Sequence, residues 1–255
     1  MTRTAISPRL AIRIFCSTVG NTGRMSESGA TWHVRVVDET GSTNTDLLAA
    51  AAAGAPDRSV LVARHQTAGR GRLDRRWDAP PGANLLVSLL FRDLPPHLHE
   101  LTQRVALAAA DAVATTSGLR VGLKWPNDLL VDGAKLAGVL AQAGAAGGVV
   151  DHVVVGIGVN VGWAPEGGAR VGHDVDPLDL LDAMLRAFDA LPTDVHERYR
   201  AALVTIGQRV RVERPTDVLE GRAVDVGRDG RLAVEDDTGT VHHLDTGDVV
   251  HLRPA

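Results

Sequence analysis

The run Asn84–Phe91 is apolar at nearly every position rather than at every second one. A strand of that kind cannot show one face to water. It must lie inside a sheet covered on both sides. Covering helices are available. Thr45–Ala53 is rich in Ala and Leu, follows hydroxyls suited to an N-cap, and stops at Gly54 and Pro56. Leu98–Thr116 puts Leu98, Leu101, Val105, Ala108 and Ala112 on one helical stripe. Further strands are expected at Trp32–Asp38, Val60–Ala63, Val121–Lys124, Leu129–Val131, Lys135–Ala143 and Val149–Val155, and helices near 177–190 and 193–203. From Ile206 the texture changes. Short alternating segments are separated by Asp229-Gly230, Thr238-Gly239 and Thr246-Gly247, the spacing of a small β-barrel. The expected organisation is an α+β (mixed α/β) domain over residues 32–204 and a barrel over 205–255. A disordered tail over 1–31 precedes them, with Met25 as an alternative start.

Composition removes several function classes. The net charge of −4 argues against a generic nucleic-acid or membrane binder. The single Cys16 excludes an internal disulfide and a cysteine zinc cluster, leaves no thiol nucleophile in the body of the chain, and suits a reducing cytoplasm. No apolar stretch reaches 18 residues, so no transmembrane helix is expected. HExxH, Walker A and GxSxG motifs are absent.

Of the 27 Lys and Arg residues only Lys124 and Lys135 are lysine, and they sit close together in LKWPNDLLVDGAKLAG. Lysine is a compact point charge suited to one oxygen in a tight site, whereas arginine is a planar fork. In a hairpin turning at Asp132-Gly133, Val131 faces Ala134 and Leu130 opposes Lys135. By period two, Lys124, Asp128 and Leu130 share the face that Lys135 joins. The plain alternative is an Asp–Lys surface pair worth well under about 1 kcal/mol. Pro126 leaves the direction of Lys124 open.

Three other segments carry chemistry. His65–Trp77 holds four arginines and two glycines within eight residues, closed by Trp77. Glycines let backbone N–H groups approach an anion, and arginines grip phosphate or carboxylate. A solvated basic loop or an RNA contact would use the same residues. Val153–Asn160 contains Gly156 and Gly158 but is not a dinucleotide fingerprint, because the third glycine is misplaced. Its glycines would let a ligand lie against the sheet, with Asn160 as donor and acceptor. Ser42-Thr43-Asn44 is either a helix cap or a seat for a small polar head group. His242, His243 and His251 read as surface residues, and no metal ligands are identified.

Taken together, GSTN, QTAGRGR…W, KWPND…KLAG and GIGVN make the chain resemble the biotin protein ligases over about residues 32–255. The resemblance implies a class II aminoacyl-tRNA synthetase-like mixed sheet followed by an SH3-like barrel. It implies two reactions: biotin and Mg-ATP give biotinyl-5′-AMP, and biotin then passes to a lysine of a biotin carboxyl carrier protein. Ser42, Thr43, Asn44, Gln66, Gly138 and Gly156 would surround biotin. Arg70, Gly71, Arg72 and Lys135 would hold its carboxylate and the phosphate. Arg70, Arg72, Arg75, Trp77, Asn127 and Asn160 would serve ATP, and Lys135, Arg70 and Asp128 would be catalytic, Asp128 as proton acceptor. Two departures from the family stand out. The residues before Trp32 show no helical periodicity, so no helix-turn-helix and no operator binding are expected. Leu73-Asp74 interrupts the basic loop, which predicts looser retention of the adenylate. A monomer or weak homodimer is expected. The rivals are a lipoate or octanoate ligase and an RNA-binding module.

Overall fold

The computed structural model describes residues 22–25, 31–73, 75–214, 217–245 and 247–252. In chain order its elements are β1 (Thr22–Met25), β2 (Thr31–Thr40), α1 (Thr43–Ala52), β3 (Ser59–Gln66), β4 (Leu85–Phe91), α2 (His99–Ser117), β5 (Gly122–Lys124), β6 (Asp128–Val131), β7 (Ala134–Ala146), β8 (Val149–Val159), α3 (Pro177–Asp189) and α4 (His196–Ala202). Then follow β9 (Arg209–Glu213), β10 (Val218–Val226), β11 (Leu232–Glu235), β12 (Val241–Leu244) and β13 (Asp248–His251).

The first eight strands form one mixed sheet of order β1-β2-β3-β4-β8-β7-β6-β5. β2 and β3 run parallel, which requires a crossover, and α1 supplies it. On that face Leu47 and Ala51 of α1 pack on Leu61, Leu90 and Val154. The other face, including Leu85, Val87, Leu89 and Phe91 of β4, is covered by α2 and α3. All seven residues of β4 are buried, as its unbroken apolar run requires. Leu101, Val105, Ala108 and Ala112 of α2 are buried on their expected stripe.

Two expectations change. Within the stretch read as a tail, Thr22–Met25 pairs antiparallel with β2, because β2 offers an edge with unsatisfied backbone groups. Residues 1–21 and 26–30 lie outside the described residues. β8 also runs past Val155 to Val159. Gly156 and Gly158 are ladder residues between β4 and β7, and hydrogen bonding on both sides overrides the weak β-preference of glycine.

The last five strands form an antiparallel sheet of order β12-β11-β10-β9-β13, the SH3-like unit. Gly230 and Gly239 take positive φ at the expected turns, and Thr246 lies outside the described residues. This unit is sewn to the edge strand β5. Val204 N–H donates to Leu123 O at 2.8 Å. Trp125 donates its N–H to Thr205 Oγ1 and its Nε1–H to Gly230 O, both at 3.0 Å. His251, expected at the surface, is half-buried at this seam with Nε2 3.3 Å from Thr205 Oγ1.

Candidate active site

A cavity of about 490 Å³ opens at the N-terminal end of α1, over β7 and β8. Every residue to which the resemblance gives a site role lines it: Ser42, Thr43, Asn44, Gln66, Arg70, Gly71, Arg72, Arg75, Trp77, Asn127, Asp128, Lys135, Gly138, Gly156 and Asn160.

One end is polar and uncharged. Ser42 occupies the N-cap position of α1 but makes no side-chain cap hydrogen bond, so capping does not explain it. Thr43 donates its N–H and hydroxyl to Gln66 Oε1 at 2.8 and 3.0 Å. Asn44 Nδ2 donates to Leu140 O at 3.1 Å and to Gln142 Oε1 at 2.9 Å. Beneath them Ser88 Oγ lies 2.7 Å from Thr43 Oγ1 and 2.6 Å from Asn44 Oδ1, linking both to the sheet. A Cβ on Gly156 would stand 2.1 Å from Asn44 Oδ1, so this glycine is needed for Asn44 to lie flat on β8.

The other end is charged. The described residues of the arginine loop, 67–73 and 75–78, fold back on one another: Gly71 N–H donates to Arg75 O at 2.7 Å and Trp77 N–H to Gly69 O at 3.0 Å. Leu73 sits at its tip with φ 54°, and Asp74 lies outside the described residues. Arg70 is exposed at the mouth. Arg72 reaches Asn127 Oδ1 at 3.2 Å and Gly247 O at 3.4 Å, and Arg75 pairs with Asp248. The Arg75 guanidinium hydrogen-bonds to the Asp248 carboxyl and holds it below the usual carboxylate range, against the opposing effect of burial. Burial in turn lowers the pKa of Arg72, which stays charged at neutral pH.

On β6 and β7 the expected register is present, with Leu130 opposite Lys135 and Val131 opposite Ala134. Lys135 Nζ stands 2.6 Å from Asp128 Oδ1, an ion pair not aligned as a hydrogen bond. Trp77 lies across the floor, with Lys135 Nζ 5.7 Å from its ring centre. A Cβ on Gly158 would come within 2.5 Å of that ring, and one on Gly138 within 3.3 Å. The glycines expected to admit a ligand thus also admit the protein's own Trp77 and Asn44.

Asn160 lines the cavity, but its amide is committed: Nδ2 donates to Lys135 O at 3.3 Å and Ala169 O at 3.0 Å, and Oδ1 accepts from Asn84 at 3.3 Å. Lys124 does not line the cavity. Its charge acts on Asp248 and His251 at the seam instead. Sequence reasoning missed Ser88, Gln142 and Asp248. The signal for Ser88 was present, as the one hydroxyl in an apolar strand. Asp248 had none, since only folding brings it to residue 75. Among the described residues, no group of three or more His, Cys, Asp or Glu side chains could hold a metal ion.

A mixed sheet here joins an uncharged polar pocket to a wall of cations, an arrangement suited to a ligand with a neutral head and an anionic end. The family model described as the biotin/lipoate A/B protein ligase family matches residues 36–160, and the biotin protein ligase C-terminal domain matches residues 205–252. The chain belongs to the biotin/lipoate A/B protein ligase family. It is 41% identical to the biotin–[acetyl-CoA-carboxylase] ligase of Mycobacterium tuberculosis, over 89% of this chain and 92% of the relative. It is 37% identical to the enzyme of that name from Paracoccus denitrificans, over 66% of this chain and 73% of the relative. The structure of biotin protein ligase from Aquifex aeolicus in complex with biotin and ATP shares the fold, with a TM-score of 0.71 at 23% identity, covering 87% of this chain and 99% of that one.

Proposed function

We propose that this chain activates biotin with ATP to biotinyl-5′-AMP and transfers biotin to a lysine of a biotin carboxyl carrier protein, that of acetyl-CoA carboxylase. The observation that carries the reading is that one cavity has both an uncharged hydrogen-bonding end and a cationic end. Biotin has the same two ends, a neutral ureido ring and a carboxylate. The ring would meet Thr43, Asn44 and Gln66, and the carboxylate would point to Lys135, Arg70 and Arg72. Gly71, its N–H held by Arg75 O, would keep side-chain bulk away from the anion, and Gly138 and Gly156 let Trp77 and Asn44 lie close over the sheet where they can face the ligand.

In the first step a biotin carboxylate oxygen bonds to the α-phosphorus of ATP as the bond to the β-phosphate oxygen breaks and pyrophosphate leaves. A carboxylate is already ionised at neutral pH, so no general base is needed. The task is to bring two anions together and neutralise the charge that develops, which suits fixed cations. Lys135 would exchange its contact with Asp128 for these oxygens. Magnesium enters as part of the ATP complex. In the second step the acceptor amine attacks the acyl carbon and AMP leaves, and Asp128 would take the amine's proton. Trp77, Asn127 and Arg75 would flank the nucleotide, while Asn160 would act through the backbone of Lys135. A reaction fed by ATP fits the cytoplasm. No helix among the described residues is long and apolar enough to cross a membrane.

The test is to incubate the protein with ATP, a purified carrier domain, and either biotin or lipoate. The expected result is a mass gain of one biotinyl group on the carrier. Transfer of lipoate alone would assign the chain to the other branch of the family, and neither gain would overturn the reading.

A further inference from the structure

The C-terminal sheet touches the cavity at one place. Asp248, the first residue of β13, lines the cavity and pairs with Arg75 of the arginine loop. One residue earlier, Gly247 O accepts from Arg72 of the same loop at 3.4 Å. The anchoring side is closely packed. A Cβ on Gly247 would come within 2.4 Å of Val212 Cγ1, so this backbone lies tight against β9. The domain carrying it is fixed to the KWPN segment through Trp125. The loop is tied to the main sheet at its start, where Thr67 and Ala68 N–H donate to Thr40 O and Gly41 O, whereas around its tip the backbone bonds are short-range ones within the loop itself. Two ties to a fixed frame therefore set where Arg72 and Arg75 stand.

We propose that Asp248 is a positioning residue of this cavity: acting through Arg75, it latches the arginine loop shut, so that the C-terminal sheet completes the site. What the loop closes over rests on the ligase reading, whereas the latch belongs to the ligand-free protein. The pair is partly exposed, with side-chain exposures of 63% for Arg75 and 35% for Asp248. Exposed pairs are weak, so removing one should shift loop opening by about fivefold at most.

Two readouts test this. The first is amide hydrogen exchange at Gly71 and Trp77 in the ligand-free protein, which reports loop opening directly. The second is the dissociation rate of biotinyl-AMP from the full chain. Asp248→Asn should raise both by about two- to fivefold with no change in melting temperature, and Asp248→Glu should restore most of the loss. Arg75→Gln, which breaks the pair from the loop side, should reproduce the exchange effect, and adding Asp248→Asn to it should change nothing further. Unchanged exchange in Asp248→Asn, or a full additional effect in the double variant, would overturn the latch. If exchange responds as expected while the wild-type protein makes no adenylate from biotin and ATP, the latch stands and the ligase reading falls.

Discussion

Lys135 is the cation on the sheet that faces the cavity, whereas Lys124 serves the seam, so the two lysines of this chain are unequal. Lys135→Ala should fold normally and lose adenylation by about a hundredfold or more, as measured by biotin-dependent pyrophosphate release. Lys135→Arg should also be poor, because a planar fork does not fit where a point charge stands beside Trp77. Gly158→Ala places a methyl within 2.5 Å of the Trp77 ring. It should cost about 1–3 kcal/mol in chemical denaturation and displace the tryptophan from the floor. Ser88→Ala removes the hydroxyl linking Thr43 and Asn44 to β4, and should raise the KM for biotin roughly tenfold while sparing that for ATP. At this scale the sequence was informative about which residues meet and poor about what they do there. Asn160 and Gly158 read as ligand contacts; both line the cavity, but the Asn160 amide is also held by two backbone carbonyls and Asn84, and Gly158 also clears space for an indole ring. Motif spacing reveals neighbours, but the direction of a side chain depends on partners far away in sequence.

The β6–β7 hairpin was readable in register because its turn chemistry is local. Asp132 and Gly133 take φ 50° and 81°, the pair of positive angles that a tight hairpin turn demands. Gly133→Ala should therefore cost about 1–2 kcal/mol, read from urea unfolding, and should lower adenylation as well, since the arms carry Asp128 and Lys135. The irregularity between Leu129 and Leu130 was not readable, because it answers to pairing with Ala137 rather than to any local pattern. The continuation of β8 through two glycines and the pairing of Thr22–Met25 with β2 escaped for the same reason. Local propensity opposes the first and says little about the second, and a neighbouring strand decides both.

Across the whole molecule, apolar runs and turn residues were enough to divide the chain into a covered sheet and a smaller antiparallel unit, but not to show how the two are joined. That seam carries two half-buried histidines. Burial lowers the pKa of His99, helped by the nearby His97, and burial followed by the charge of Lys124 lowers that of His251. A histidine with a depressed folded-state pKa binds protons more readily once unfolded, so stability falls as pH drops below about 6.5. Urea unfolding midpoints should decrease between about pH 7.5 and 5.5, and His99→Gln should remove part of that slope. The depressed carboxylates, such as Asp225 and Asp237, titrate below this window. The seam also gives the molecule a schedule. Arg75 and Asp248 are 173 residues apart, and ribosomes add about 5–20 residues per second. An arginine loop thus waits about nine to thirty-five seconds for its carboxylate partner. Chains arrested short of residue 247 should be cut by protease within residues 67–78 while β3, β4 and β8 already resist, since the proposed latch is made only once β13 has followed the loop out of the ribosome.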